Sequence, residues 1–152
     1  MDMYHFVSKW TFKAPLPAVW DAIFDSDQWP EWWKYVEKVT TVEKGDAQEI
    51  GTVKIFEWST KFFYTIHFHS RLIENEYGKR LKGEAWGELE GTGLWTFEEH
   101  DGLTTATYHW DVSTTKPWMN FMAPILKPLF KFNHDIVMKD GEVGLRKRLG
   151  LD

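Results

Sequence analysis

The sequence predicts an α+β fold in which a curved, seven-stranded antiparallel sheet wraps around a long C-terminal helix, with two short helices between strands 1 and 2. Three observations predict it. An alternating strand-like segment opens the chain and stops at Pro15 and Pro17. From Tyr35 to Thr114 a procession of strand-length segments is broken at short spacing by turn signals, the mark of an antiparallel meander. After Pro117 the apolar period changes to that of a helix.

Taken in order, Phe6, Ser8, Trp10 and Phe12 share one parity and His5, Val7, Lys9 and Thr11 the other, as in a half-buried first strand. Ala18 to Phe24 follows with helical spacing of Trp20, Ile23 and Phe24, and Pro17 is acceptable in its first turn. Asp25, Ser26 and Asp27 end that helix, and Trp29-Pro30-Glu31-Trp32-Trp33 has room for one or two turns capped by Asp27. Strands are predicted over 35–43, 52–59, 62–74, 79–88, 92–99 and 103–114. Lys44-Gly45-Asp46, Glu76-Tyr77-Gly78, Glu90-Gly91 and Asp101-Gly102 supply the turns. Ile125 to Leu149 is predicted as the long helix, with Pro124 and Pro128 confining its regular part to later residues. Phe130, Val137, Gly141, Leu145 and Leu149 share its apolar stripe, and Arg146, Lys147 and Arg148 complement the negative end of its dipole.

A chain of 152 residues sits near the usual size of one domain, so residues 1–152 are expected to form a single one. Its 17% aromatic content means that the rings either overfill a small core or line something. A net charge of −5 with dispersed basic residues argues against nucleic acid and against an anionic membrane surface. No apolar run approaches the length that spans a bilayer, and Met1 to Ser8 lacks the regions of a signal peptide. With no cysteine, disulfides and thiol nucleophiles are excluded. A cytoplasmic protein without an integral membrane segment, and without a cofactor or metal, is the expectation.

The order of elements and several of their words resemble the START/Bet v 1-like (SRPBCC) superfamily of helix-grip proteins. More narrowly they are similar to its bacterial polyketide cyclase/dehydrase-like and lipid-transport-like branch. The matching stretches are Ala14-Pro15 with Ala18-Val19-Trp20-Asp21, Trp29 to Trp33, Gly87 to Gly93, Thr114 to Trp118, and Asn133-His134-Asp135 with Gly141 and Gly144-Leu145. The resemblance implies a hydrophobic cavity between the sheet and the C-terminal helix. It names no activity, because the superfamily hosts carriers, cyclases, chaperone cofactors and binding modules. It also implies that the strand carrying His109 and Asp111 does not neighbour the first strand.

Parity sends Phe56, Trp58, Ile66, Phe68, Leu81, Ala85, Trp95, Phe97, Tyr108 and Trp110 to the face that meets the helix. Gly83, Gly87, Gly91 and Gly93 on the sheet, and Gly141 and Gly144 on the helix, either leave space opposite these rings or mark bulges and a tight grip. Trp118, with Trp32, Trp33, Met119, Phe121 and Met122, lies outside the regular strands and either lids or caps one end. No basic ring surrounds those residues, which disfavours membrane docking. Asn133 and His134 fall near the sheet-facing stripe of the long helix, and Ser8, Tyr64 and Tyr108 are further inward polar groups. His67 and His69 share the outward parity and do not make a metal pair. Gly91-Thr92-Gly93 lacks the third glycine and the following helix of a dinucleotide fingerprint.

The function these features favour is binding or carriage of a small hydrophobic ligand, lipid, isoprenoid or polyketide-like, in a cavity of at least about 300 Å³. Phe56, Trp58, Tyr64, Phe68, Trp95, Phe97, Tyr108, Trp110, Trp118, Asn133 and His134 are the candidate contacts. A non-catalytic protein is expected. The alternatives are a cyclase/dehydratase-type enzyme using the same cavity with His134 moving a proton, and a module that binds a protein partner through its Trp and Met end.

Overall fold

The computed structural model describes residues 3–60 and 65–151. Strand β1 (Met3–Phe12) is followed by helix α1 (Leu16–Phe24), a 3₁₀ turn over Ser26–Gln28 and helix α2 (Trp29–Trp32). The meander then runs β2 (Val36–Glu43), β3 (Val53–Ser59), β4 (Thr65–Glu76), β5 (Arg80–Gly87), β6 (Leu89–His100) and β7 (Leu103–Thr114). Helices α3 (Pro117–Phe121) and α4 (Ala123–Arg148) close the chain. All seven strands form one antiparallel sheet in the order β1-β7-β6-β5-β4-β3-β2. Each sequential hairpin pairs locally, and β7, at the end of the meander, comes to lie beside β1.

That last pairing overturns one expectation. β7 does neighbour β1: His5 and Asp111 are direct cross-strand partners, and His5 Nδ1 lies 2.7 Å from Asp111 Oδ1 on the outer face. The meander leaves free edges at β2 and β7, and β1 takes the one at β7, leaving β2 as an edge strand.

Several local details also differ from expectation. Asp27 does not cap α2, whose first residue follows Gln28 without a side-chain cap; its carboxylate meets Lys54 Nζ at 3.1 Å instead. β6 begins at Leu89, before Gly91, because Leu89, Glu90 and Gly91 pair with Thr114, Ser113 and Val112 of β7. Trp118 and Met119 lie in a short helix. α4 starts at Ala123 and passes through Pro128, whose ring removes only the hydrogen bond to Pro124, an exposed carbonyl in the first turn.

The helix grips the sheet through rings and glycines. Trp10 and Trp33 are 1% exposed with centroids 5.1 Å apart, and Trp33 Nε1 donates to the Val137 carbonyl of α4 at 2.8 Å. A Cβ at Gly141 would sit 2.7 Å from the Trp10 ring, and one at Gly144 would collide with the Trp32 carbonyl. Two side chains of α4 also close the β1 edge, where Thr11 N donates to Glu142 at 3.1 Å and Arg146 donates to the Thr11 carbonyl at 3.0 Å. Arg148, in the last turn, reaches Glu31 of α2 at 3.2 Å.

Candidate functional site

Period-two alternation carries the even residues of β3, β4 and β7 and the odd residues of β5 and β6 onto the concave face. In register, Phe56 opposes Phe68, Trp58 opposes Ile66, and Gly93 opposes both Gly83 and Trp110. Phe56 and Phe68 stack at 5.7 Å, Tyr108 and Trp110 at 5.7 Å, and Phe68 meets Trp110 at 5.4 Å. These rings do not fill the interior. They divide it.

Two cavities share Trp58, Phe68, Tyr108 and Trp110 as a common wall. One, of about 520 Å³, lies between the sheet and the α1–α2 segment, with Ile23, Phe24 and Trp29 opposite Leu72, Leu81 and Trp95. The exposed Asp21, Asp25, Asp27 and Glu49 mark its mouth. The other, of about 110 Å³, lies against α3 and α4 and is enclosed by Tyr4, Phe6, Met119, Phe130, Val137 and Met138. The smaller cavity thus lies between sheet and α4, as the resemblance implies, while the roomier space lies beside α1 and α2. Beneath the middle of α4 the volume belongs to Trp10 and Trp33.

Few polar groups enter these spaces. Tyr108 has no hydrogen-bond partner for its hydroxyl among the described residues, and burial pushes its phenol far above the usual range. The buried indole N–H of Trp58 is likewise without a partner. Lys54, on the inward parity of β3, is held at the mouth by Ser26 Oγ at 2.8 Å and by Asp27. His134 lines the smaller cavity, its ring stacked on Phe6 at 4.4 Å. Burial pushes its imidazole down to about 4, against the opposing pull of the Asp135 carboxylate. Its Nδ1 stands 4.0 Å from Asp135 Oδ1, too far for a hydrogen bond. The ring is thus neutral near pH 7, with its Nδ1 uncommitted.

Among the candidates from sequence, Phe56 and Trp95 line the larger cavity, His134 the smaller, and Trp58, Phe68, Tyr108 and Trp110 both. Phe97 packs on Trp20 at 4.8 Å under α1, and Asn133 is fully buried; neither lines a cavity. Trp118 is 48% exposed on the outside. Tyr64 lies outside the described residues. His67 and His69 lie off the cavity walls, and His69 stacks on Trp86 at 5.3 Å. Sequence reasoning missed Tyr4 and Phe6, which the β1 alternation could have supplied, and Lys54, which shares the parity of Phe56 and Trp58. It also missed Ile23, Phe24 and Trp29, for which no local signal exists, since only the packing of α1 and α2 brings them opposite the sheet.

The glycines sort into both expected classes. A Cβ at Gly83 would sit 2.7 Å from Ser70 Oγ, and one at Gly93 would strike the Tyr108 hydroxyl and lie 3.1 Å from the Trp110 ring. Those two make room for cavity-lining side chains, whereas Gly141 and Gly144 serve the grip.

The chain belongs to the polyketide cyclase/dehydrase and lipid transport family, whose model matches residues 3–140. No curated protein matches it. Among solved structures it is similar to TTHA0849 from Thermus thermophilus, at 15% identity and TM-score 0.77, over 95% of this chain and 99% of that one. It is also similar to the Zhui aromatase/cyclase from Streptomyces sp. R1128, at 16% identity and TM-score 0.75, over 97% and 95% of the two chains. A START superfamily protein from Mycobacterium smegmatis matches at 9% identity and TM-score 0.73, over 96% and 95%. These likenesses establish the helix-grip, Bet v 1-like fold. Among the described residues no helix is long and apolar enough to cross a membrane.

Proposed function

We propose that the protein binds and carries a small, largely apolar molecule bearing one oxygenated group, with its apolar body in the larger cavity. The observation that carries this reading is a space of about 520 Å³, within the range of small-molecule sites, walled by rings and containing an unpartnered phenol hydroxyl. Burial of the ligand's apolar surface supplies the affinity. The Tyr108 hydroxyl and the Trp58 indole N–H donate to a carbonyl or hydroxyl and so fix orientation. Native mass spectrometry of protein purified from its own host, followed by extraction of what co-purifies, tests the proposal. A bound apolar molecule is expected, and Tyr108→Phe weakens its affinity by up to about tenfold. Protein of bare mass that also takes up no fluorescent apolar probe would overturn the reading.

A cyclase/dehydratase-type enzyme is the second reading, favoured by one observation: a neutral, buried His134 with an uncommitted ring nitrogen beside the aromatic wall. Such a group can take and return a proton near pH 7. Turnover of an identified substrate that survives His134→Ala would exclude that role.

A further inference from the structure

We propose that α3 and the first turns of α4 form a docking surface for an anionic phospholipid membrane. Trp118, Phe121, Met122 and Ile125 are 48%, 85%, 36% and 72% exposed, and Phe132, two turns beyond Ile125, is 52% exposed. At about 100° per residue, Ile125, Pro128, Leu129 and Phe132 fall on the outward face of α4, opposite the buried Phe130, Asn133 and Val137. An apolar face of this size is uncommon on a protein that meets only water.

The occupant follows from local charge, and it reverses the expectation that the overall charge and the lack of a basic ring disfavour a membrane. In a chain of net charge −5, residues 116–134 contain Lys116, Lys127 and Lys131 and no aspartate or glutamate. Lys127 and Lys131, one turn apart, share a flank of the apolar stripe, and Lys116 immediately precedes α3. Glu88 and Asp135, at the margins, each engage one lysine, at 3.1 and 2.7 Å. Exposed Trp, Phe and Ile beside lysines is the composition of a helix that lies in a lipid headgroup layer. A second copy fits less well, because a two-fold contact through this patch sets the same lysines of both copies on one seam.

Docking here sets the smaller cavity next to the bilayer, since Met119 and Phe130, on the inner sides of the same two helices, line it. Docking does not require that the cavity hold a ligand.

Co-sedimentation with phosphatidylcholine vesicles, with and without phosphatidylglycerol, tests it. The full chain is expected to bind the phosphatidylglycerol vesicles, and to bind them less as salt rises. Phe121→Ser with Ile125→Ser, at exposed positions where the fold is untouched, lowers binding on the order of tenfold or more. Lys127→Gln with Lys131→Gln lowers it several-fold and flattens the salt dependence. Three outcomes would each overturn the proposal: no binding to either vesicle, equal binding by the serine variant, or a dimer in sedimentation velocity that the serine variant dissolves. Because the vesicles carry no cavity ligand, protein that docks yet emerges bare from native mass spectrometry would refute only the ligand-binding reading.

Discussion

Acidification perturbs the His134 pocket with a sign and size that follow from the geometry. Burial against Phe6 lowers the imidazole from an ordinary value of 6.5 to about 4. Above pH 6.5 the ring is neutral in both folded and unfolded chains and costs nothing. As pH falls below 6.5 the unfolded chain binds a proton that the folded chain refuses, so stability is lost progressively until about pH 4, where the folded ring also protonates. At about 1.4 kcal/mol per pH unit, the loss over that window is about 3 kcal/mol. For a chain of this length it corresponds to a fall in Tm of about 6–12 °C. The assay is differential scanning calorimetry from pH 7 to pH 4 on the wild type and on His134→Gln, which keeps a polar group but does not titrate. Carboxylates contribute equally to both proteins, so the difference between the two profiles isolates His134. Parallel profiles, or a His134 resonance titrating near pH 6.5, would refute the claim that the pocket excludes the charged ring.

Two other substitutions probe the grip and the cavity. Gly141→Ala gains about 1 kcal/mol of helix propensity but drives a methyl to within 2.7 Å of the Trp10 ring and against Trp33, whose bond to Val137 is then strained. A net loss of about 1–2 kcal/mol is expected in denaturant titrations, and an unchanged or raised midpoint would show that the helix does not grip this closely. Gly93→Ala displaces the Tyr108 hydroxyl toward the larger cavity, costing about 1–3 kcal/mol, and a titration with a fluorescent apolar probe reads the narrowed space as weaker uptake.

Much of the wall was legible because strand alternation is a local, one-residue geometry. Phe56, Trp58, Phe68, Trp95, Tyr108 and Trp110 needed only parity to be placed inside. The same rule, applied to β1, would have added Tyr4 and Phe6. The rule says nothing about depth, and so Phe97, though turned inward, ended beneath α1.

The sequence by itself determined the strands, their faces, the terminal helix and the family, because each rests on periodicity or on words contiguous in the chain. Tertiary structure decided where the empty space lies. Glycines at 141 and 144 read in one dimension either as missing volume or as a tight grip, and in three they admit Trp10, Trp33 and the Trp32 backbone, so α4 sits tight there and the larger cavity opens beside α1 and α2. It also decided that β1 joins β7, since that depends on which distant segments come to lie side by side.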